Sequence, residues 1–560
     1  MALPGHLTRR DLLTLIGAAG VSRVAGVRGD AQAADTLVEQ AVARNDAAVR
    51  TLLPAQVTDP ASSWLGGVPD QFGLHWAGPA GGAIETFAAS FLHPQSRYHA
   101  DAALLDRLRM AAAFLVRSQS PDGNIDLPTT NFNSPPDTGF VVHGVATAAA
   151  IGRRYGVEEI VRILRPFLVK AGAGMAAGGV HTPNHRWVIS SALAQVGDLF
   201  PDPRYLARID QWLTEGIDID ADGQFTERST LVYNIVCDRA LVVMAAKLRR
   251  PALLEPVRRN LRALMYLIHA DGEVVTEISR RQDQYTRGGI GGYWFPLTYV
   301  AVTDQDGQLA AMARQSADGA RLSALMEYAE LSTRMPVSQP LPSSYDKTFT
   351  EVGIARVRRG PLSATIVLGG SSRMFTFRYG DAVLEGVRVA TSFFGKGQFI
   401  PDAAAREGDS YLLRQSLEAP YYQPLTRAIP PHAWGTTRPE RRQSEVNRLE
   451  QSATITEVPN GFRLRVLAGG TSGVPLAIEI ACRDGGQIEG CRPIEGSPGT
   501  YLLDHGMGIY RSGRHAIRFG PGGAPHRYVQ LRGAEPRLSG LTVYITGITP
   551  FDQTLTFEGL

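Results

Sequence analysis

The sequence predicts a multidomain α+β protein: an N-terminal α/α toroid, an incomplete barrel of helical hairpins, followed by a C-terminal antiparallel β-sandwich. Three observations predict it. Apolar residues recur at helical spacing from residue 36 to 335. Polar Asp-Gly loops punctuate those helices at near-regular intervals. Past a proline-rich segment the apolar period shortens to that of strands. A chain of 560 residues is also too long for a single core, which calls for two or three domains.

The first 33 residues are set aside as a leader. Thr8-Arg9-Arg10-Asp11-Leu12-Leu13 is a twin-arginine pattern, a short apolar run follows, and Ala31-Gln32-Ala33 supplies a small-x-small cleavage signature. Charge, apolar run and cleavage site stand in the order of an export signal, which places the mature protein in the periplasm or outside the cell. No later stretch reaches the roughly 18 uninterrupted apolar residues of a membrane span.

Residues 34–335 form the helical part. Ala103, Leu104, Leu108, Ala111, Ala112 and Leu115 make an apolar stripe within 102–116, and similar stripes cover 141–153, 157–169, 187–199, 205–213, 231–248 and 253–269. The connections repeat: Asp122-Gly123, Asp222-Gly223 and Asp271-Gly272 each lead into a short extended piece ending in an acid (Asp126, Glu227, Glu277), and Gly178-Gly179-Val-His181 falls between the first two. Starting at residues 122, 178, 222 and 271, they are roughly 50 residues apart, the length of a helical hairpin with two loops. Hairpins closing around an axis give a toroid; an open solenoid is the alternative. Polar loops gathered at one end favour a shared cleft.

Residues 336–346, with Pro336, Pro340 and Pro342, read as a linker, and 347–560 as the β domain. Short β-branched or aromatic runs cover 351–358, 364–368, 373–378, 387–394, 541–548 and 554–557. The runs 453–458 and 462–466 flank Pro459-Asn460-Gly461, and Asn-Gly is the strongest short hairpin signal. The three cysteines fit no zinc pattern; Cys237 reads as packing. Cys482 and Cys491 flank a hairpin-like Arg-Asp-Gly-Gly-Gln and stand where a disulfide between facing strands could form in an exported protein.

A net charge of +3 leaves no electrostatic footprint for nucleic acid. Lysine occurs only at Lys170, Lys247, Lys347 and Lys396, so 53 of the 57 basic side chains are arginine. GC-rich coding explains most of that usage, although the guanidinium fork also suits acidic ligands.

The residues that carry chemistry cluster at the repeated loops. Asn184 and His185 open a helix, where an amide and an imidazole, helped by the helix dipole, can grip a carboxylate; the plain alternative is that Asn184 caps a helix starting at His185. Tyr233 is the candidate proton-transfer group. Phenols ionise near pH 10, so a base role needs cations close by, and Arg239 or Arg280-Arg281 are the available ones. Glu227 and Ser229 precede Tyr233 as a supporting acid and a helix cap. His143, after Asn133-Ser-Pro-Pro-Asp137, is either a second base or a core histidine. The run from Ser279 to Arg287 holds Arg280, Arg281 and Tyr285 as substrate contacts, and His75-Trp76 offers a stacking platform for a sugar ring. Carboxylate binding beside a phenol suits proton abstraction next to a uronate carboxylate, followed by loss of the glycosidic oxygen.

Asn184-His185 at a helix start, followed by Asp222-Gly223-x3-Glu227-x-Ser229-x3-Tyr233, resembles polysaccharide lyases of the heparinase II/III-like and alginate-lyase-like group. In motif the resemblance spans residues 178–290; in architecture it spans nearly the whole mature chain. It implies that Asn184 and His185 neutralise a uronate carboxylate and that Tyr233 acts as acid and often as base. The substrate it implies is an acidic polysaccharide or oligosaccharide: glucuronate-type, rhamnosyl-glucuronate, glycosaminoglycan or alginate. No cofactor is called for. Some members of the group carry a structural metal in the β domain, for which the scattered His432, His505, His515 and His526 provide no set. The rival readings are a glycoside hydrolase using two of Asp126, Glu227 and Glu277, and a non-catalytic glycan-binding protein.

Overall fold

Proline sets where several helices start. In the computed structural model, which describes residues 30–560 with side chains from Thr36, Pro135, Pro183 and Pro203 each occupy the first turn of a helix. There the missing N–H costs nothing and the fixed φ is already helical. The helices therefore begin several residues before their apolar stripes. The twin-arginine segment, residues 8–13, lies outside the described residues.

The described chain divides into two compact units between Leu341 and Pro342. The first holds α1 (Asp30–Ala55), α2 (Ala77–Leu92), α3 (Ala102–Ser118), α4 (Pro135–Arg154), α5 (Glu158–Ala177), α6 (Pro183–Leu199), α7 (Pro203–Thr214), α8 (Tyr233–Leu248), α9 (Leu254–Leu264), α10 (Trp294–Asp304), α11 (Gly307–Gln315), α12 (Leu322–Glu327) and α13 (Glu330–Thr333). Each of α2, α4, α6, α8 and α10 packs on the next, while α3, α5, α7 and α9 back them from outside. Small residues such as Gly139, Ala146, Ala149, Ser190 and Ala192 are buried between the inner helices and let them approach closely. Helix α12 touches α1, α2 and α4, and α13 touches α1 and α10, so the end of the unit returns to its beginning. This is the toroid.

The loops that start four of the five inner helices, all but α6, share one turn. The N–H of Asp70, Ser120, Asp220 and His269 bonds the carbonyl of Leu74, Asn124, Gln224 and Glu273 at 2.9, 2.8, 2.9 and 2.8 Å. In each, the fourth residue is a glycine at positive φ (Gly73, Gly123, Gly223, Gly272) whose N–H closes back on the first residue's carbonyl. A Cβ on Gly123 would stand 2.2 Å from the Lys170 carbonyl oxygen, and one on Gly223 2.7 Å from that of Arg259, so each turn is pressed onto an outer helix. The series corrects the one expected from sequence. Gly178 merely ends α5, and near residue 170 the chain is helical. The missing copy is Asp70-Gln-Phe-Gly73, which lacks the Asp-Gly pair.

The second unit is a sandwich of an eight-stranded and a nine-stranded sheet. Phe375, on one sheet, packs against Phe462 and Phe557 on the other at 5.2 and 5.6 Å between ring centroids. Pairing is antiparallel except that Thr500–Leu502 runs parallel to Leu541–Ile548. The first strand, Ser344–Phe349, begins inside the proline-rich segment.

The expected hairpin forms with a different turn. Val458 pairs with Gly461, leaving Pro459 and Asn460 as the two turn residues. Proline fixes a negative φ at the first and Asn460 takes φ +56° at the second, which is type II chemistry. Gly461 is already strand, and a Cβ there would stand 1.8 Å from the Phe557 carbonyl oxygen. The 482–491 hairpin does not form. Cys482 ends a strand of the nine-stranded sheet, Gln487–Glu489 joins the eight-stranded sheet, and both cysteines are free thiols.

Candidate active site

Asn184 lies at the second position of α6, too deep to cap it; Thr182 holds the cap position. Its side chain crosses to the loop before α8. The amide nitrogen donates to both oxygens of Glu227, at 2.8 and 2.9 Å, and the amide oxygen is buried with no hydrogen-bond partner among the described residues. Glu227 is itself buried, and desolvation raises its pKa against the opposing pull of Asn184 and Arg281. The Arg281 guanidinium stands 3.5 Å from it. A buried carboxylate is costly unless so paired. Glu227, a substrate-binding candidate in sequence, thus bridges Asn184 and Arg281.

Arg281 also covers Tyr233, with its guanidinium carbon 4.7 Å from the ring centroid. Tyr233 is the first residue of α8, and its N–H donates to the Ser229 hydroxyl at 3.1 Å. The Tyr233 hydroxyl oxygen accepts from the Gln282 amide nitrogen at 3.1 Å. Behind them the buried Asp283 accepts from the hydroxyls of Ser229 and Ser279, both at 2.8 Å, and from the N–H of Leu231 at 3.0 Å. The 227–233 and 276–287 loops are pinned together through this one carboxylate. Arg228 and Tyr285, non-glycine residues on these loops, sit at φ +45° and +58°, the backbone strain that collects where surrounding contacts over-determine a site.

The structure therefore joins Asn184, Glu227, Arg281 and Tyr233 in one contact chain. The amide nitrogen of Asn184 and the guanidinium of Arg281 are both held at the Glu227 carboxylate, and the phenol ring of Tyr233 lies under Arg281. Arg280 is exposed and joins the loop through its backbone N–H to the Arg228 carbonyl. Tyr285 is half-buried on the same loop.

The other candidates stand elsewhere. His185 is buried with its ring edge-on to His181 and Phe140, at 4.7 and 6.1 Å, so it faces α4 while Asn184 faces Glu227. His143, open in sequence as a second base or a core histidine, lies in the core. It is buried between α4 and α6, its Nε2 2.8 Å from the Ser191 hydroxyl, and burial together with the charge of Arg239 depresses its pKa to about 3. Arg239 is not the cation beside Tyr233. It lies farther along α8 among Arg321, Glu85 and Glu327, where burial and then Arg321 lower its pKa to about 10. His75 stacks on the half-exposed Trp64 at 5.4 Å, and the Trp76 indole donates to Asp70 at 3.1 Å, so the platform on the first turn is Trp64–His75. Of the acids a hydrolase would need, Asp126 is bound to the Asn133 N–H at 2.6 Å. Among the described residues no group of three or more His, Cys, Asp or Glu side chains is placed to hold a metal.

Sequence reasoning missed Gln282 and Asp283 as site residues. Both lie in the polar run 279–287, but a charged run reads as a solvated loop, and only the fold shows that Asp283 is buried.

No protein-family model and no curated protein matches the chain. Solved structures do. The chondroitin AC lyase of Streptomyces coelicolor A3 in complex with chondroitin sulphate is 15% identical, with a TM-score of 0.55 over 94% of this chain and 83% of that one. A Paenibacillus xanthan lyase is 10% identical, with a TM-score of 0.54 over 94% of this chain; the chain spans 57% of that enzyme's length. A chondroitinase AC lyase solved with oligosaccharides is 10% identical, with a TM-score of 0.51 over 95% of this chain and 83% of that one. The chain has the fold of the chondroitin AC and xanthan lyases.

Proposed function

We propose that this protein is a polysaccharide lyase that cleaves a uronic-acid-containing glycan by β-elimination and leaves a 4,5-unsaturated uronate end. The observation that carries the reading is the single contact chain from Asn184 through Glu227 and Arg281 to Tyr233. In this reading the Asn184 amide and the Arg281 guanidinium neutralise the uronate carboxylate, which acidifies the C5 proton. Tyr233 removes that proton and returns it to the departing glycosidic oxygen. Arg280 meets the substrate at a neighbouring subsite, and the Trp64–His75 stack carries a sugar ring.

The substrate class we infer is a glucuronate-type polymer, with rhamnosyl-glucuronate, glycosaminoglycan and alginate as members of the test panel. Export by the twin-arginine route belongs to the same proposal; it rests on the Arg9-Arg10 segment and the Ala31-Gln32-Ala33 signature. The mature N-terminus should then begin at Ala34 in a periplasmic or culture fraction.

The test is incubation of purified protein with the panel while following absorbance of the unsaturated uronate. Chain cleavage with that chromophore supports the reading. Cleavage without it would put a hydrolase in its place, and binding without product a lectin-like protein.

A further inference from the structure

We infer that Gln282 is a further catalytic residue, donating a hydrogen bond to the reacting oxygen of Tyr233. The inference rests on the lyase reading above. Its geometry is the 3.1 Å contact from the Gln282 amide nitrogen to the Tyr233 hydroxyl oxygen. An amide nitrogen can only donate, so at this atom it favours a negatively charged phenol oxygen over a neutral one.

Three consecutive side chains divide the work around Tyr233. Arg281 lays a positive charge over the ring face, 4.7 Å from its centroid. Gln282 meets the oxygen in the neighbourhood of that charge. Asp283, only 3% exposed, fixes both by accepting from Ser229, Ser279 and the Leu231 N–H. The loop is braced further by the Arg280 N–H on the Arg228 carbonyl at 2.7 Å, and by Gln284 N–H on the Arg281 carbonyl and Thr286 N–H on the Asp283 carbonyl, both at 3.0 Å. Gln282 is therefore presented to Tyr233 by a rigid loop, whereas a surface glutamine would gain nothing from a buried aspartate next to it. A donor held in place before reaction needs no reorganisation when charge appears.

The proton count closes on one group. The phenolate oxygen of Tyr233, stabilised by Gln282 and Arg281, takes the C5 proton. The C5–H electron pair forms the C4=C5 double bond as the C4–O bond breaks, and the departing oxygen receives the same proton from the phenol. Tyr233 is again a phenolate, still bonded to Gln282. Gln282 exchanges no proton at any point.

The test compares wild type with Gln282→Glu and Gln282→Leu by initial rates of unsaturated product across pH, with melting temperature as the folding control. Gln282→Glu keeps the shape and replaces the donor by a carboxylate. It should lose about 100-fold in kcat at neutral pH, within the range for loss of one such donor, with KM within roughly threefold. Its rate relative to wild type should recover as pH falls and the new carboxyl gains a proton to donate. Gln282→Leu should lose as much with no such recovery. Either variant within threefold of wild-type kcat, or a Glu variant whose relative rate is flat with pH, overturns the role while leaving the lyase reading intact. A wild type that forms no unsaturated product overturns the lyase reading, and this role with it.

Discussion

Glu227 is read as a residue that acts through Asn184, and a double-mutant cycle measures that directly. Glu227→Ala removes the two short contacts that orient the Asn184 amide, at 2.8 and 2.9 Å, and the carboxylate 3.5 Å from Arg281. Hydrogen bonds to charged groups contribute about 1.5–3 kcal/mol. The expected loss is about 2 kcal/mol of transition-state stabilisation, roughly 30-fold in kcat/KM. The Asn184→Ala change should cost more, since it removes the donor itself. In the Asn184→Ala background, Glu227→Ala should then cost under about 0.5 kcal/mol, because the amide it holds is gone. Steady-state kinetics on the best panel substrate supply all four corners of the cycle. Additive losses would refute the reasoning and make Glu227 an independent substrate or catalytic group.

Three further outcomes follow from contacts around the site. His143 resists protonation in the fold until pH about 3 but takes up a proton near pH 6.5 once unfolded. The unfolded chain binds more protons between those values, so stability should fall as pH drops below about 6.5, by up to about 4 kcal/mol near pH 3, and be independent of this group above it. Urea unfolding against pH should show a flatter acid limb for His143→Gln, which should keep its kcat at neutral pH; loss of turnover with unchanged stability would restore a catalytic role. Asp283→Asn should cost about 2–4 kcal/mol by leaving buried donors poorly matched, and should speed hydrogen exchange selectively in residues 227–233 and 276–287. Gly123→Ala should lower the melting temperature more than Gly272→Ala, because a Cβ at Gly123 meets the Lys170 backbone while Gly272 has open space; equal effects would count against the close packing of the Gly123 turn on the outer helix.

Helix positions were readable from the apolar stripes because burial against an inner or outer neighbour imposes the 3.6-residue period. Helix starts were less so. At 135, 183 and 203 the first turn is proline and polar residues, which carry no apolar signal but begin the helix all the same. The Asp-Gly loops pointed to the right end of the toroid, but their periodicity misled at Gly178-Gly179 and hid the copy at Asp70–Leu74, whose turn is built on Gly73 and the Asp70 side chain without an Asp-Gly pair. Motif spacing found Asn184, Glu227 and Tyr233. It left Arg239 and Arg280-Arg281 both open as the cation beside Tyr233: Arg239 is six residues on along the same helix, whereas Arg281, 48 residues away in sequence, is the one the fold brings over the ring. His143 shows the same limit. A histidine on an apolar helix reads alike as base or core until its burial and its Ser191 partner are known. In the β unit, strands such as Pro475–Cys482 and Ser410–Tyr422 lacked a clear alternation, the first because it is buried almost throughout.

The central claim is that Tyr233 moves the proton of an elimination. The most direct measurement compares wild type and Tyr233→Phe on the same uronate polymer, following both reducing ends and the unsaturated chromophore. Wild type should produce the two in equal amounts, and Tyr233→Phe, folded and still able to bind the polymer, should lose about 10³-fold or more in kcat, within the range for acid–base catalysis. Turnover by Tyr233→Phe within threefold of wild type, or reducing ends without the chromophore, would contradict that claim.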